Sequence, residues 1–218
     1  RCTGCGHRKP KPDFAVTDFD PAAGVMTIDG NVRVELAFAG VYNISNSLTA
    51  YAAARLCGVD SETAAGVIRH YVLKNGRLVH FRLGAHKGVL LTSKHENSIA
   101  YDTNLRTIRE AQTPCTVLVI VDAISRKYFT GETSWLWDID FDLLNDPAVG
   151  RIILCGRYAE DLALRFSFTA IPPERIAVFA HIPDAAAALA ADGSEPLYVV
   201  TCFSDRDKLL SLVEREEG

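Results

Sequence analysis

The chain has 218 residues, 48% of them apolar and 23% charged, with a formal net charge of −4. This balance suits one large or two small globular domains and excludes disordered and fibrous classes. The longest apolar run, 185–191, falls far short of the ~18 residues of a membrane span, and the acidic surplus argues against a nucleic-acid binder.

The chain opens at Arg1 on Cys2-Thr-Gly-Cys5-Gly6, with no basic-then-apolar leader. We read it as a C-terminal piece of a longer cytosolic protein. Two thiolates three positions apart grip one edge of a tetrahedron, and structural zinc takes four ligands. Cys2 and Cys5 therefore read as half of a zinc ribbon, with a redox Cys-x-x-Cys as the alternative. The redox motif wants to open a helix, which 8–12, with two prolines, does poorly. Cys57, Cys115, Cys155 and Cys202 sit in or beside apolar segments, where a reduced cysteine behaves as a small hydrophobe.

In chain order, 14–19 and 26–29 read as strands joined through Asp20-Pro21 and Gly24. Val32, Val34, Leu36 and Phe38 alternate with Asn31, Arg33, Glu35 and Ala37, the period of a half-buried strand. Beyond Gly40 the sequence predicts helices over about 45–56 and 61–73, with Gly58 closing the first and Asp60 or Ser61 capping the second. Short strands at 79–83 and 88–92 and a polar helix at 98–111 follow. After Thr113-Pro114 the rhythm changes. Four β-branched-rich runs, 116–121, 151–154, 176–180 and 197–201, alternate with helical segments at about 157–168, 183–191 and 204–215, the pattern of a parallel sheet covered on both faces. We place the domain boundary near residue 113. Residues 1–113 then form one part and 114–218 an α/β domain with a mainly parallel sheet.

Several polar constellations interrupt this pattern. Asn43 and Asn46 lie where a strand gives way to a helix. Asn43 suits an N-cap, and the pair equally suits the edge of an adenine. Arg77 follows the Asn75-Gly76 turn and reads either as a surface arginine or as a phosphate contact. Lys94 opens a polar cluster after a strand, where such sheets bind ligands and where solvated loops also lie. Both tryptophans, Trp135 and Trp137, stand in Ser134-Trp-Leu-Trp-Asp138-Ile-Asp140-Phe-Asp142. That stretch reads either as an aromatic anchor for a long loop or as a docking surface presenting a carboxylate. Asp122, at the end of the first strand of the second half, is either a working residue or a turn cap.

The Cys-x-x-Cys-Gly knuckle, Gly40-x-Tyr-Asn43-x-x-Asn46-x-Leu-x-Ala50, the Asn-Gly-Arg turn, the Lys94 loop, ETSWLWDIDFD (132–142) and GRYAEDLALR (156–165) occur in one order over nearly the whole chain. Together they resemble the MurT family, the Mur-ligase-like subunits of lipid II isoglutaminyl synthases. The resemblance implies the end of a Mur ligase central domain followed by a Rossmann-like C-terminal α/β domain. It implies a bacterial cytoplasmic complex that uses ATP and Mg2+ to activate the α-carboxylate of D-glutamate in the lipid II stem peptide. Ammonia for the amidation comes from a GatD-type class I glutamine amidotransferase partner. By position, Asn43, Asn46, Arg77 and Lys94 fall on the nucleotide side, Cys2 and Cys5 on the zinc ribbon. Glu132 falls on the carboxylate that completes the partner's Cys-His pair. Glu132 stands where the family has aspartate, and 94–98 read Lys-His-Glu-Asn-Ser where the family has Lys-Asn-Pro-x-Gly. The Gly-rich phosphate loop is not in this chain, which alone is expected to be inactive. The alternative is a divergent, non-catalytic homologue that serves as a partner-binding module.

Overall fold

The computed structural model describes residues 3–8, 10–20, 23–36, 41–71, 78–94, 97–123 and 132–215, without the side chains of 41–43 and 78. The chain divides into two compact units, Arg1–Lys74 and Asn75–Gly218.

In the first unit, β1 (Val16–Asp20), β2 (Val25–Ile28) and β3 (Val32–Glu35) form an antiparallel sheet in that order. Helices α1 (Val41–Leu56) and α2 (Ser61–Arg69) follow. Met26, Ile28, Val34, Tyr51, Ala64 and Ala65 make its core. Gly58, at φ +87°, ends α1 in a conformation that a side chain would strain. Asp60 caps α2 by accepting the Thr63 amide at 2.9 Å. Helix α1 starts at Val41, four residues earlier than the sequence predicts, so Asn43 lies inside the first turn and is not its cap. Cys57 lies beyond the end of α1 and is exposed, against its reading as a buried hydrophobe.

The second unit is built on a seven-stranded sheet. Its strands are β4 (Leu78–Leu83), β5 (His86–Ser93), β6 (Cys115–Ile120), β7 (Val149–Cys155), β8 (Ile176–Phe179), β9 (Leu197–Cys202) and β10 (Glu214–Arg215), in the order β10-β4-β5-β9-β6-β7-β8. The pairings β5–β9, β9–β6, β6–β7 and β7–β8 are parallel. The β4–β5 hairpin and β10 supply the antiparallel edge. Every residue of β6 is buried, which is why a central parallel strand reads as a continuous apolar run. Helices α3 (Ser98–Glu110) and α4 (Ala159–Phe166), with 3-10 turns at Ser134–Asp138 and Phe141–Leu144, supply the core on one face. Helices α5 (Ile182–Ala191) and α6 (Phe203–Leu210) supply it on the other.

Two expectations are corrected here. The hairpin and α3, assigned by rhythm to the first part, belong to the second unit, so the units part between Lys74 and Asn75 and not near residue 113. The final helix stops at Leu210 and the chain returns as β10, where the sequence predicts helix to about 215. Among the described residues no helix is long and apolar enough to cross a membrane.

Candidate functional site

Strand β6 leads onto the α3–α4 face, whereas β9, its neighbour in the sheet, leads into α6 on the opposite face. The chain leaves the two strand ends in opposite directions, which opens a crevice where ligands of open α/β sheets gather. Asp205, in the first turn of α6, is fully buried there. Its Oδ2 accepts the amides of Asp122 at 2.8 Å and Ala123 at 3.0 Å and the Cys202 thiol at 3.3 Å. Lys208 donates to Asp205 Oδ1 at 2.8 Å and to Asp122 Oδ2 at 2.5 Å, and Arg157 gives its amide to Asp122 Oδ1 at 2.8 Å. Burial alone would push the Asp122 carboxyl up. The Lys208 and Arg157 hydrogen bonds outweigh it and hold the carboxyl below its ordinary value. Burial likewise works against the Lys208 ammonium, but the two carboxylates raise its pKa.

Gly156, at φ +108°, closes the turn beside them. A Cβ there would stand 2.6 Å from the Val121 carbonyl oxygen. A cleft of about 340 Å³ opens alongside, lined by Asp122, His181, Ile182, Pro183, Lys208 and Leu212. Of the two readings of Asp122, the hydrogen bonds favour the turn holder. The cluster pins the chain at the point where it leaves β6 for the segment that carries Glu132.

That segment lies across α3 and α4. Trp135 is buried against Tyr101, ring centroids 5.5 Å apart, while Trp137 stays 49% exposed and meets Phe168 edge-on at 5.1 Å. Leu136, Ile139, Phe141, Leu143 and Leu144 complete the buried side. The anchor reading therefore holds for Trp135, while Trp137 is exposed aromatic surface. Asp140 gives its amide to Asp102 at 2.9 Å, and Asp142 accepts the Ala170 amide at 2.9 Å. Two carboxylate–amide bonds to residues distant in sequence thus tie the later part of the segment to its surroundings. Glu132 is exposed and accepts a hydrogen bond from the Ser134 hydroxyl. The next hydroxyl, Thr133, donates to Asp161 on α4 at 2.8 Å.

Arg165 gives the sharpest surprise. It sits on α4 at 9% exposure, donating to the carbonyls of Leu136 at 3.3 Å and Ile139 at 2.8 Å. Its guanidinium carbon lies 5.6 Å from the centroids of both the Trp137 and Phe141 rings. A signal was available in the sequence. Ala159, Leu162 and Phe166 mark the buried stripe of α4, and Arg165 falls on it. Asp205 offered none, because an acid opening a helix reads as an ordinary first-turn residue.

The other expected site residues fall in both units. Asn46 is exposed on α1; Asn43 is on the same helix, its side chain outside the described residues. Arg77, His95 and Glu96 also lie outside them. Lys94 is exposed just past β5, its carbonyl accepting the Asn97 amide at 3.3 Å. Asn43 and Asn46 belong to the first unit, Lys94 and Glu132 to the second. No hydrogen bond or ion pair joins Lys94 to Glu132. Cys5 is an exposed free thiol and Cys2 lies outside the described residues. Among the described residues no three metal-ligating side chains converge, so they do not by themselves supply a zinc centre.

Residues 95–205 match the family model described as MurT ligase C-terminal. The chain is 26% identical over 207 residues to the lipid II isoglutaminyl synthase (glutamine-hydrolyzing) subunit MurT of Streptococcus pneumoniae (strain ATCC BAA-255 / R6), covering 93% of this chain and 45% of that protein. It is 23% identical over 167 residues to the subunit of the same description from Staphylococcus aureus (strain COL), covering 77% and 37%. The chain thus spans less than half the length of these curated relatives. Among solved structures it resembles a crystal structure of MurF from Acinetobacter baumannii, with TM-score 0.66 and 18% identity over 91% of this chain and 44% of that one. It also resembles a pseudomurein peptide ligase type C from Methanothermus fervidus, with TM-score 0.66 and 15% identity over 97% and 44%. At such identities the structural likeness establishes a Mur-ligase-like fold.

Proposed function

Because the chain belongs to the MurT ligase C-terminal family, we propose that it is part of the ligase subunit of a lipid II isoglutaminyl synthase complex. In this reading the complex amidates the D-glutamate α-carboxylate of the stem peptide, with ammonia from a GatD-type class I glutamine amidotransferase. ATP with Mg2+, when bound, supplies the phosphoryl group that activates the carboxylate. Asn43, Asn46, Arg77 and Lys94 are assigned to the nucleotide side. The amide side chains suit a base edge, and the cations suit phosphate. Cys2 and Cys5 are assigned to a zinc ribbon that needs ligands beyond the described residues.

The observation that carries the reading is Glu132. It is an exposed carboxylate that accepts a hydrogen bond from the Ser134 hydroxyl, on a segment that also carries the exposed Trp137 and buries Trp135 and Leu136 in the core. A carboxylate so placed is able to accept the N–H of a partner's histidine. It would then hold the tautomer in which the other ring nitrogen takes a cysteine's proton, the third role in a nucleophile–base–orienter set. Glutamate serves that role in some hydrolases.

The test is glutamine hydrolysis by the cognate glutaminase, alone and with this chain, with Glu132→Ala as the control. Stimulation that Glu132→Ala reduces by about 100-fold or more, with partner binding retained, is the expected result. Binding without stimulation would instead make the chain a docking module, as a divergent homologue would be.

A further inference from the structure

We propose that Arg165 is a positioning residue for Glu132. This inference rests on the reading of Glu132 given above. Arg165 is a buried cation, and among the described residues no carboxylate pairs with it. An apolar side chain of similar size would pack against the Trp137 and Phe141 rings without the desolvation cost of a charge. Even a buried ion pair is often replaced by such side chains at neutral or favourable cost, and Arg165 has no partner charge among the described residues to offset its burial. What the guanidinium adds is geometry. A planar fork reaches two acceptors at once, and the two here, the carbonyls of Leu136 and Ile139, span the end of the Ser134–Asp138 turn.

From that point the coupling to Glu132 runs through contiguous bonds. The Leu136 amide donates to the Thr133 carbonyl at 3.0 Å, so the residue whose carbonyl Arg165 grips also holds the start of the turn. The Thr133 hydroxyl is tied to Asp161, one helical turn before Arg165 on α4, at 2.8 Å. The Ser134 hydroxyl then fixes the Glu132 carboxylate itself. Helix α4 therefore holds the turn at both ends, and Glu132, two residues before it, is tied to it through the Ser134 hydroxyl. A misplacement of about 1 Å is enough to cost on the order of 100-fold in rate. Loss of the fork releases the turn without touching the reacting groups.

The experiment is a double-mutant cycle on the complex with the cognate glutaminase, at chain concentrations that saturate it, with kcat and KM for glutamine as readouts. Arg165→Met is expected to lower the stimulated kcat by about ten- to a hundredfold with KM for glutamine unchanged. In the Glu132→Ala background the same substitution is expected to change nothing further, because its effect passes through Glu132. Arg165→Lys, which keeps the charge but loses the fork, is expected to fall between. Thr133→Val cuts the second tie at the surface and carries the same cycle if Arg165→Met fails to fold; it is expected to lower kcat by about two- to tenfold. An unchanged kcat in a folded complex, or an equal further loss on top of Glu132→Ala, overturns the positioning role. If Glu132→Ala itself leaves stimulation intact, the reading of Glu132 fails first and the role of Arg165 with it.

Discussion

Asp205 has no exposed surface, yet its two oxygens serve four donors: two backbone amides, a thiol and an ammonium. A buried carboxylate satisfied in this way holds a structure in place at little net cost, whereas one left short of partners would cost several kcal/mol. Asp122 extends the same network to the surface and supplies a pH test. Its folded pKa lies below the ordinary aspartate value of about 3.9. Its contribution is therefore complete above that value and is lost as the pH falls through the lower folded one. Lys208 runs the opposite way. Its pKa is raised, so its contribution is present below about 10.4 and lost as the pH rises through the folded value. Asp122→Asn keeps an acceptor for the Arg157 amide but removes the charge and turns an NH2 donor toward the Lys208 ammonium. It is expected to destabilise the second unit by about 1 kcal/mol at pH 7, discounted for the partial exposure of the pair. Urea unfolding at pH 7 and then at successively lower pH should show the gap between parent and variant narrowing as the parent's carboxylate protonates. A gap that persists in acid would trace the loss to packing instead.

At the scale of elements, the β4–β5 hairpin joins the antiparallel edge to the parallel core, and its closest fit is at Gly88. Gly88 pairs directly with Phe81, whose fully buried ring lies over the glycine and fills the space a side chain would take. Gly88→Ala is expected to cost about 1–3 kcal/mol through overpacking. Thermal unfolding of the variant measures it, and an unchanged midpoint would show that the ring has room to swing away. The elements themselves were largely legible in the sequence, for a physical reason. Strands buried on both faces are apolar at nearly every position, so 116–121, 151–154 and 197–201 declared themselves. Glycine at Gly58 and the acid at Asp60 are what helix ends require. Where the sequence misled, two physical roles shared one residue type. Asn43 fits a cap as well as a first turn, and Cys57 beside a helix end looks like a small hydrophobe until the turn carries it outward. The site was half visible. The crowding of aromatics and acids at 134–142 marked the surface, but the hold of Arg165 on Leu136 and Ile139 depends on a meeting of segments that no local pattern encodes.

At the scale of the whole molecule, the same blindness to distant pairing explains the misplaced boundary. The hairpin and α3 look self-contained in sequence, yet β5 pairs in parallel with β9 more than a hundred positions away, Leu90 opposite Val199 and Leu91 opposite Val200. Cutting the chain at residue 114 would leave β9 as an edge strand. It would also remove Phe81, Leu83, Leu90, Leu91, Tyr101, Leu105 and Ile108 from the two cores. At about 1.5–3 kcal/mol for each large side chain, that loss is about 10–20 kcal/mol. Even as an upper estimate it matches the entire stability of a typical domain, about 5–15 kcal/mol. A chain spanning 75–218 is therefore expected to unfold in one cooperative transition in urea. A chain spanning 114–218 is expected to bind a hydrophobic dye and to show no such transition. Cooperative unfolding of the shorter chain, with stability close to that of the longer one, would restore the boundary near 113. It would also make the hairpin and α3 an accessory layer on a core able to stand without them.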